Sequence, residues 1–171
     1  MIRSAFLFPG QGSQVVGMGQ ELAQRYSIAR EIFTQADEIL NFPLSSIAWN
    51  GPKEVLNDTV NTQPALFIHS IAALKVLQEL HPDLSPVAVA GHSMGEISAL
   101  TAAGSLSFEV GLRLARTRGI IMQRAGELTP GGMAAVLGLD IQIIEELCAA
   151  ASNNIDIVQV ANDNCPRQVV I

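Results

Sequence analysis

The chain has 171 residues, 49% of them hydrophobic and 15% charged, with a formal net charge of −6 at pH 7. That composition excludes a disordered chain, and without a basic surplus to neutralise phosphates no nucleic-acid partner is expected. No apolar run approaches the ~20 residues that span a bilayer, and Met1-Ile2-Arg3-Ser4 leads into an apolar strand without a signal-peptide pattern, so a cytoplasmic protein with no membrane partner is expected.

In chain order, Ala5-Phe6-Leu7-Phe8 is a continuous apolar run that reads as a buried strand, ended by the glycine loop Pro9-Gly10-Gln11-Gly12-Ser13. Helical spacing follows over Met18–Phe33 and Glu31–Leu40, and a stretch rich in Asn, Gly and Pro, Asn41–Thr62, reads as a loop. Thr62-Gln63-Pro64 then caps a helix predicted over Ala65–Leu80, with Pro64 in its first turn. Val87-Ala88-Val89-Ala90 reads as a second buried strand, followed by Gly91-His92-Ser93-Met94-Gly95 and a helix, Glu96–Ala103, that ends on Gly104 as a left-handed cap. Another helix is predicted over Phe108–Gly126. The turn cluster Thr129-Pro130-Gly131-Gly132 marks a boundary between subdomains 1–128 and 129–171. Beyond it a strand (Met133–Leu139), a helix (Ile141–Ala151), a strand (Ile155–Ala161), a turn (Asn162–Pro166) and a further strand (Gln168–Ile171) open a small α/β sandwich. Cys148 and Cys165 are too widely spaced for a CxxC site and read as free thiols; no metal site is expected.

The sharpest chemical signal is the G-x-S-x-G at Gly91–Gly95, set between a predicted strand and a predicted helix. In that context the serine occupies a strained strand-to-helix turn that projects its hydroxyl above the sheet edge, so Ser93 is the candidate nucleophile. The amide of Met94, at a helix N-terminus, then points at a developing oxyanion. A second donor belongs on the loop after another strand, where Gln11 offers its backbone N–H. Spacing alone leaves that assignment open, although the glycines at 10, 12 and 17 fit neither dinucleotide-binding nor Walker phosphate loops.

On a helical wheel the neighbours of Arg118 are Leu114, Ile121 and Met122, which places it on an apolar face. A buried arginine without a partner costs several kcal/mol, so an anion is expected to meet Arg118: either a bound carboxylate, which its rigid fork suits, or an internal Asp or Glu. Arg113 and Arg124 share a face with Glu109 and Thr117 and read as solvated. A nucleophilic serine also needs a base, and in such proteins the histidine normally follows the serine. Here His69, His81 and His92 all precede Ser93. His92 adjoins the nucleophile on an extended segment and should face the other way. His69 reads as a packed core residue and His81 as part of a surface turn, so none of the three is a convincing base.

Phe8-Pro9-Gly10-Gln11-Gly12-Ser13-Gln14, Thr62-Gln63-Pro64-Ala65, Gly91-His92-Ser93-Met94-Gly95-Glu96, Arg118, and Asn162-Asp163-Asn164 with Pro166 together resemble malonyl-CoA:acyl carrier protein transacylases, in collinear order across the chain. The resemblance implies an α/β fold: an α/β-hydrolase-like large subdomain with an inserted ferredoxin-like small subdomain, truncated here at the C-terminus. It implies that Ser93 takes malonyl from malonyl-CoA as an ester and passes it to the phosphopantetheine thiol of acyl carrier protein, in fatty acid synthesis. Arg118 would bind the malonyl carboxylate, Gln11 and Met94 would supply the oxyanion amides, and Gln63 and His92 would complete the substrate-binding set. Coenzyme A enters only as the thioester substrate, with no permanently bound cofactor. The family's histidine lies further along, so the isolated chain is expected to be inactive and its unmatched apolar surface exposed. The missing C-terminal segment is itself a candidate partner. Arg167 stands where the family has glycine, implying a φ > 0 backbone that arginine tolerates poorly.

A serine esterase or thioesterase would use the same elbow with water as acceptor, and Arg118 is the residue that separates the two. An inactive fragment or interaction module is the non-enzymatic alternative.

Overall fold

The computed structural model describes residues 3–129 and 131–171. Pro130, within the predicted boundary turn, and Met1 and Ile2, ahead of the first strand, lie outside them. The chain divides into two compact units, one ending at Leu128 and the other starting at Thr129.

In the first unit, β1 (Ala5–Phe8) and β2 (Ala88–Gly91) pair in parallel, with Phe8 opposite Gly91. Neither strand is buried on both faces as their continuous apolar character suggested. Phe6, Phe8 and Val89 turn inward onto Leu74 and Ala99, whereas Leu7 is 78% exposed. Side chains alternate across a strand, and among the described residues only one face of this pair carries packed helices.

Helix α1 (Gln20–Arg25) is separated from α2 (Ser27–Leu40) by Tyr26 in extended conformation, which divides what reads in sequence as a single helical stretch. The segment read as a loop is largely helical: α3 (Leu44–Asn50), α4 (Lys53–Asn57) and the first turns of α5 (Thr59–Leu80). Leu44, Ala48 and Leu56 within it are fully buried against Phe33, Phe67 and Ile71. A buried Leu or Phe side chain contributes about 1.5–3 kcal/mol relative to exposure, enough to override the poor helix propensity of the surrounding Asn, Gly and Pro. The polar side chains there finish the backbone: Asn61 Nδ2 donates to the Val55 carbonyl (2.9 Å) and Thr62 Oγ1 to the Leu56 carbonyl (2.6 Å), meeting acceptors left at the end of α4.

Because α5 begins at Thr59, Pro64 lies inside it and not at its first position. Proline has no N–H to give the carbonyl four residues back, and Arg116 Nη1 occupies that carbonyl, of Val60, at 2.8 Å. Arg116 sits on α7 (Phe108–Leu128), which follows α6 (Gly95–Ala102). Gly104 ends α6 in the expected left-handed conformation, φ 76°. The α5–α7 approach is close: a Cβ on Gly119 would stand 2.7 Å from the Thr59 carbonyl oxygen.

His69 lies on α5 with Nδ1 buried and without a hydrogen-bond partner. Burial pushes its pKa below the usual histidine value of about 6.5. The unfolded chain therefore binds a proton more readily than the folded one. This residue's contribution to stability is complete above pH ~6.5 and declines as pH falls from there toward the lowered folded value. Urea midpoints at pH 7.5 and pH 5.5 should differ more for the native chain than for His69→Leu, and equal differences would exclude the mechanism.

The second unit contains β3 (Ala135–Leu137), α8 (Ile141–Ala151), β4 (Asn162–Cys165) and β5 (Gln168–Val170), in an antiparallel sheet of order β3-β5-β4. The expected strand at Ile155–Ala161 is not a strand, and β4 falls where a turn was expected. Val158 and Val160 still pack on Ile144, Cys148 and Val169, but hydrogen bonding to β5 starts only with Ala161 N–H donating to the Val170 carbonyl. Alternating apolar residues there mark packing, not pairing. The turn is Pro166-Arg167, and Arg167 adopts the left-handed φ of 65° that its glycine-like position implied. Asp140 lies 3.7 Å from its guanidinium, both side chains being well exposed. Both cysteines are free, Cys148 buried and Cys165 exposed. No helix among the described residues is long and apolar enough to cross a membrane.

Candidate active site

The parallel register of β1 and β2 brings the loop after Phe8 and the turn after Gly91 out at the same sheet edge. His92 N–H donates to the Phe8 carbonyl at 3.0 Å, tying the two together. Ser93 then takes φ 53°, a left-handed conformation that costs a non-glycine residue about 1–2 kcal/mol. The chain turns at once into α6, with Gly95 N–H bonded to the His92 carbonyl and Glu96 N–H to that of Ser93.

The glycines on either side are required by space. A Cβ on Gly91 would stand 1.9 Å from the carbonyl carbon of Gly95, and one on Gly95 would stand 2.2 Å from the Phe8 carbonyl oxygen. The side chain of Met94 is fully buried, while its backbone N–H precedes α6 and so belongs to the donors that a helix start leaves without intrahelical partners.

Ser93 is exposed, and its Oγ accepts a hydrogen bond from Arg118 Nη2 at 3.0 Å. Arg118 Nη1 donates to Gln63 Oε1 at 2.8 Å, and Gln63 Nε2 lies 3.0 Å from Met122 Sδ. Gln63 itself is completely buried on α5. Ser93, Arg118 and Gln63 thus form one hydrogen-bonded set drawn from an elbow and two helices.

Two expectations for Arg118 need correction. It is half-buried, and among the described residues the ion pairs are Arg25–Glu21, Arg113–Glu109 and Arg167–Asp140, so no internal carboxylate meets it. Its acceptors are a neutral amide and a hydroxyl, which suffice because part of the guanidinium keeps its water. The apolar face around it is also open: Ile121 is 61% exposed, and a hollow of ≈ 430 Å³ between α6 and α7 is lined by Leu100, Leu114, Ile121 and Met122 beside Arg118. Arg113 is solvated as expected, in an exposed pair with Glu109.

Gln11 is exposed on the glycine loop, and its Nε2 donates to Thr59 Oγ1 at 3.1 Å. His92 is exposed and lies against the same loop, since a Cβ on Gly10 would fall 2.7 Å from His92 Nδ1. His69, in the interior of α5, and His81, at the end of that helix, sit on a different element from the elbow. Residues that sequence reasoning did not single out are Thr59, Asn61 and Arg116, which hold the first turns of α5 to the glycine loop and to α7. No sequence signal pointed to them: Pro64 reads as a first-turn residue, and it opens the Val60 carbonyl only because α5 begins at Thr59.

A model of the acyl transferase domain family matches residues 5–171. The malonyl CoA-acyl carrier protein transacylase of Bacillus subtilis is 45% identical over all 171 residues, which correspond to 53% of that relative. Among solved structures, an acyl carrier protein S-malonyltransferase from Vibrio cholerae superposes with a TM-score of 0.89 at 41% identity, over 99% of this chain and 55% of the other. A malonyl-transacylase in complex with a type II PKS acyl-carrier protein superposes with a TM-score of 0.90 at 39% identity, over 99% and 54%. The chain spans about half the length of the curated relatives it matches. With a family model matched over nearly its whole length and an α/β fold shared with malonyltransferases, the chain belongs to the acyl transferase domain family.

Proposed function

We propose that this chain carries the nucleophile and the carboxylate anchor of a cytosolic malonyl-CoA:acyl carrier protein transacylase of fatty acid synthesis. The observation that carries the reading is the 3.0 Å bond between Arg118 and a serine held at φ 53° on a strand-to-helix elbow. The names of the relatives and the carrier-protein complex of one of them support the substrate and the acceptor. A serine esterase acting on neutral acyl groups has no use for a guanidinium in that place.

In the first half-reaction Ser93 Oγ attacks the thioester carbonyl of malonyl-CoA. The Oγ–C bond forms, the C–S bond breaks, and the serine's proton passes through a base to the departing coenzyme A sulfur. In the second, the phosphopantetheine thiol of acyl carrier protein attacks the ester, its proton returns through the base to Oγ, and malonyl leaves on sulfur. The Gln11 and Met94 amides stabilise the tetrahedral oxyanion, each contributing about 2.7–4 kcal/mol. Arg118 grips the malonyl carboxylate with its fork, Gln63 holds that fork in place, and His92 lines the substrate path. None of His69, His81 and His92 is assigned as base; we assign it to a histidine in the half of the relatives that this chain does not match. The large unit is read as α/β-hydrolase-like and the small one as ferredoxin-like.

Intact-mass measurement after exposure to malonyl-CoA tests this. The chain alone should remain unmodified. Supplied with the complementary half of a full-length relative, it should gain one malonyl group mapping to Ser93, absent from Ser93→Ala. An adduct that persists in Ser93→Ala would remove the serine from the mechanism.

A further inference from the structure

Arg116 precedes Arg118 by two residues on α7 and reaches a different neighbour. Its Nη1 donates at 2.8 Å to the Val60 carbonyl and at 2.8 Å to Asn61 Oδ1, and its guanidinium carbon lies 5.0 Å from the centroid of the Phe42 ring. The Val60 carbonyl is the acceptor that a regular helix would assign to the N–H of residue 64, which is proline. Arg116 therefore supplies, from α7, the hydrogen bond that α5 cannot make for itself.

The site depends on the same stretch of α5. Thr59 holds the side chain of Gln11, Gln63 holds Arg118, and the backbones of α5 and α7 meet where Gly119 approaches Thr59 and Val60. Among the described residues, the polar side-chain bonds between α5 and α7 are those of Arg116, Arg118 and Met122. Of these, only the two made by Arg116 lie outside the Ser93–Arg118–Gln63 set. Hydrogen bonds weaken steeply once alignment is lost, so a small slide of α7 along α5 would part Arg118 from Gln63 or from Ser93.

We propose that Arg116 is a positioning residue: by bonding the Val60 carbonyl opened by Pro64, it sets the register of α7 against α5 and thereby places the Arg118 guanidinium between Gln63 and Ser93. Its functional consequence rests on the reading of Arg118 as the carboxylate anchor, while its geometric consequence does not.

The test uses Arg116→Met, which keeps an unbranched stem over Phe42 and removes the donors. The first readout is the ¹⁵N guanidinium NMR signal of Arg118, assigned by its loss in Arg118→Ala. In folded Arg116→Met that signal should move toward its position in a solvated arginine, and an unmoved signal overturns the proposal. The second readout is the affinity for malonyl-CoA relative to acetyl-CoA, expected to fall roughly tenfold. The double variant with Arg118→Ala should show no loss beyond Arg118→Ala alone. A merely structural role would weaken both ligands equally and add to the Arg118→Ala effect, and that result overturns the proposal. If the native chain shows no preference for malonyl-CoA, the anchor reading fails, and the Arg118 signal still decides the question for Arg116. Should Arg116→Met fail to fold, Arg116→Gln, which keeps a polar side chain but is too short to bring its amide to the Val60 carbonyl, is read by the same signal with the same two outcomes.

Discussion

Arg118→Ala should weaken malonyl-CoA binding by about ten- to a hundredfold and leave acetyl-CoA binding nearly unchanged. A hydrogen bond to a charged group contributes roughly 1.5–3 kcal/mol, and each 1.4 kcal/mol corresponds to about tenfold in affinity. Acetyl-CoA has no terminal carboxylate and so nothing for the guanidinium to grip. Arg118→Lys should fall between the two, because an ammonium keeps the charge and loses the planar fork. Titration calorimetry with both thioesters measures the effect directly. Equal losses for the two esters would show that Arg118 acts on the fold or on the coenzyme A portion, not on the acyl carboxylate.

Gly91→Ala should destabilise the first unit by about 3 kcal/mol or more, the upper end of what overpacking costs. The added methyl would stand 1.9 Å from the carbonyl carbon and 2.0 Å from the carbonyl oxygen of Gly95. Those are backbone atoms at the start of α6, so no side-chain rotation can relieve the overlap. The elbow itself has to open, and with it the φ of 53° that aims Ser93. Gly126→Ala is the matched control: nothing lies within 4 Å of its Cβ position on α7, and replacing a helical glycine by alanine should stabilise by about 0.5–1 kcal/mol. Urea midpoints of the two variants should move in opposite directions. Similar shifts in one direction would mean that the tight elbow does not limit stability.

The contrast between these two glycines indicates how the site could be read from sequence. A strand, a G-x-S-x-G and a helix form a local pattern, because the turn is made by residues within a few positions of one another. Its geometry was therefore legible before any fold was known, down to the left-handed cap at Gly104. The carboxyl-terminal cap chemistry of α6 and the helical character of α5, α7 and α8 are local in the same sense. The segment 44–58 was not legible. Its Asn, Gly and Pro content argues for a loop, and only the burial of Leu44, Ala48 and Leu56 against residues far along the chain turns it into helices. Strand β4 fails for a related reason: Val158 and Val160 carry the apolar alternation, while the pairing partner on β5 selects the polar residues that follow.

By itself, then, the sequence marked a serine within a strand-to-helix G-x-S-x-G and an arginine among apolar helix neighbours, and left the Gln11 amide open as an oxyanion donor. Only the tertiary structure decided what holds them. Arg118 and Gln63 are separated by 55 positions and Arg118 and Ser93 by 25, so no local period places them together. That Arg118 rests on neutral acceptors and not on an internal carboxylate follows from the packing of α7 on α5. The carbonyl that Pro64 leaves open could have been met by water or by any nearby donor. Its capture by Arg116 depends on where two helices cross, a property of shapes packed at close range that the order of residues along either helix does not contain.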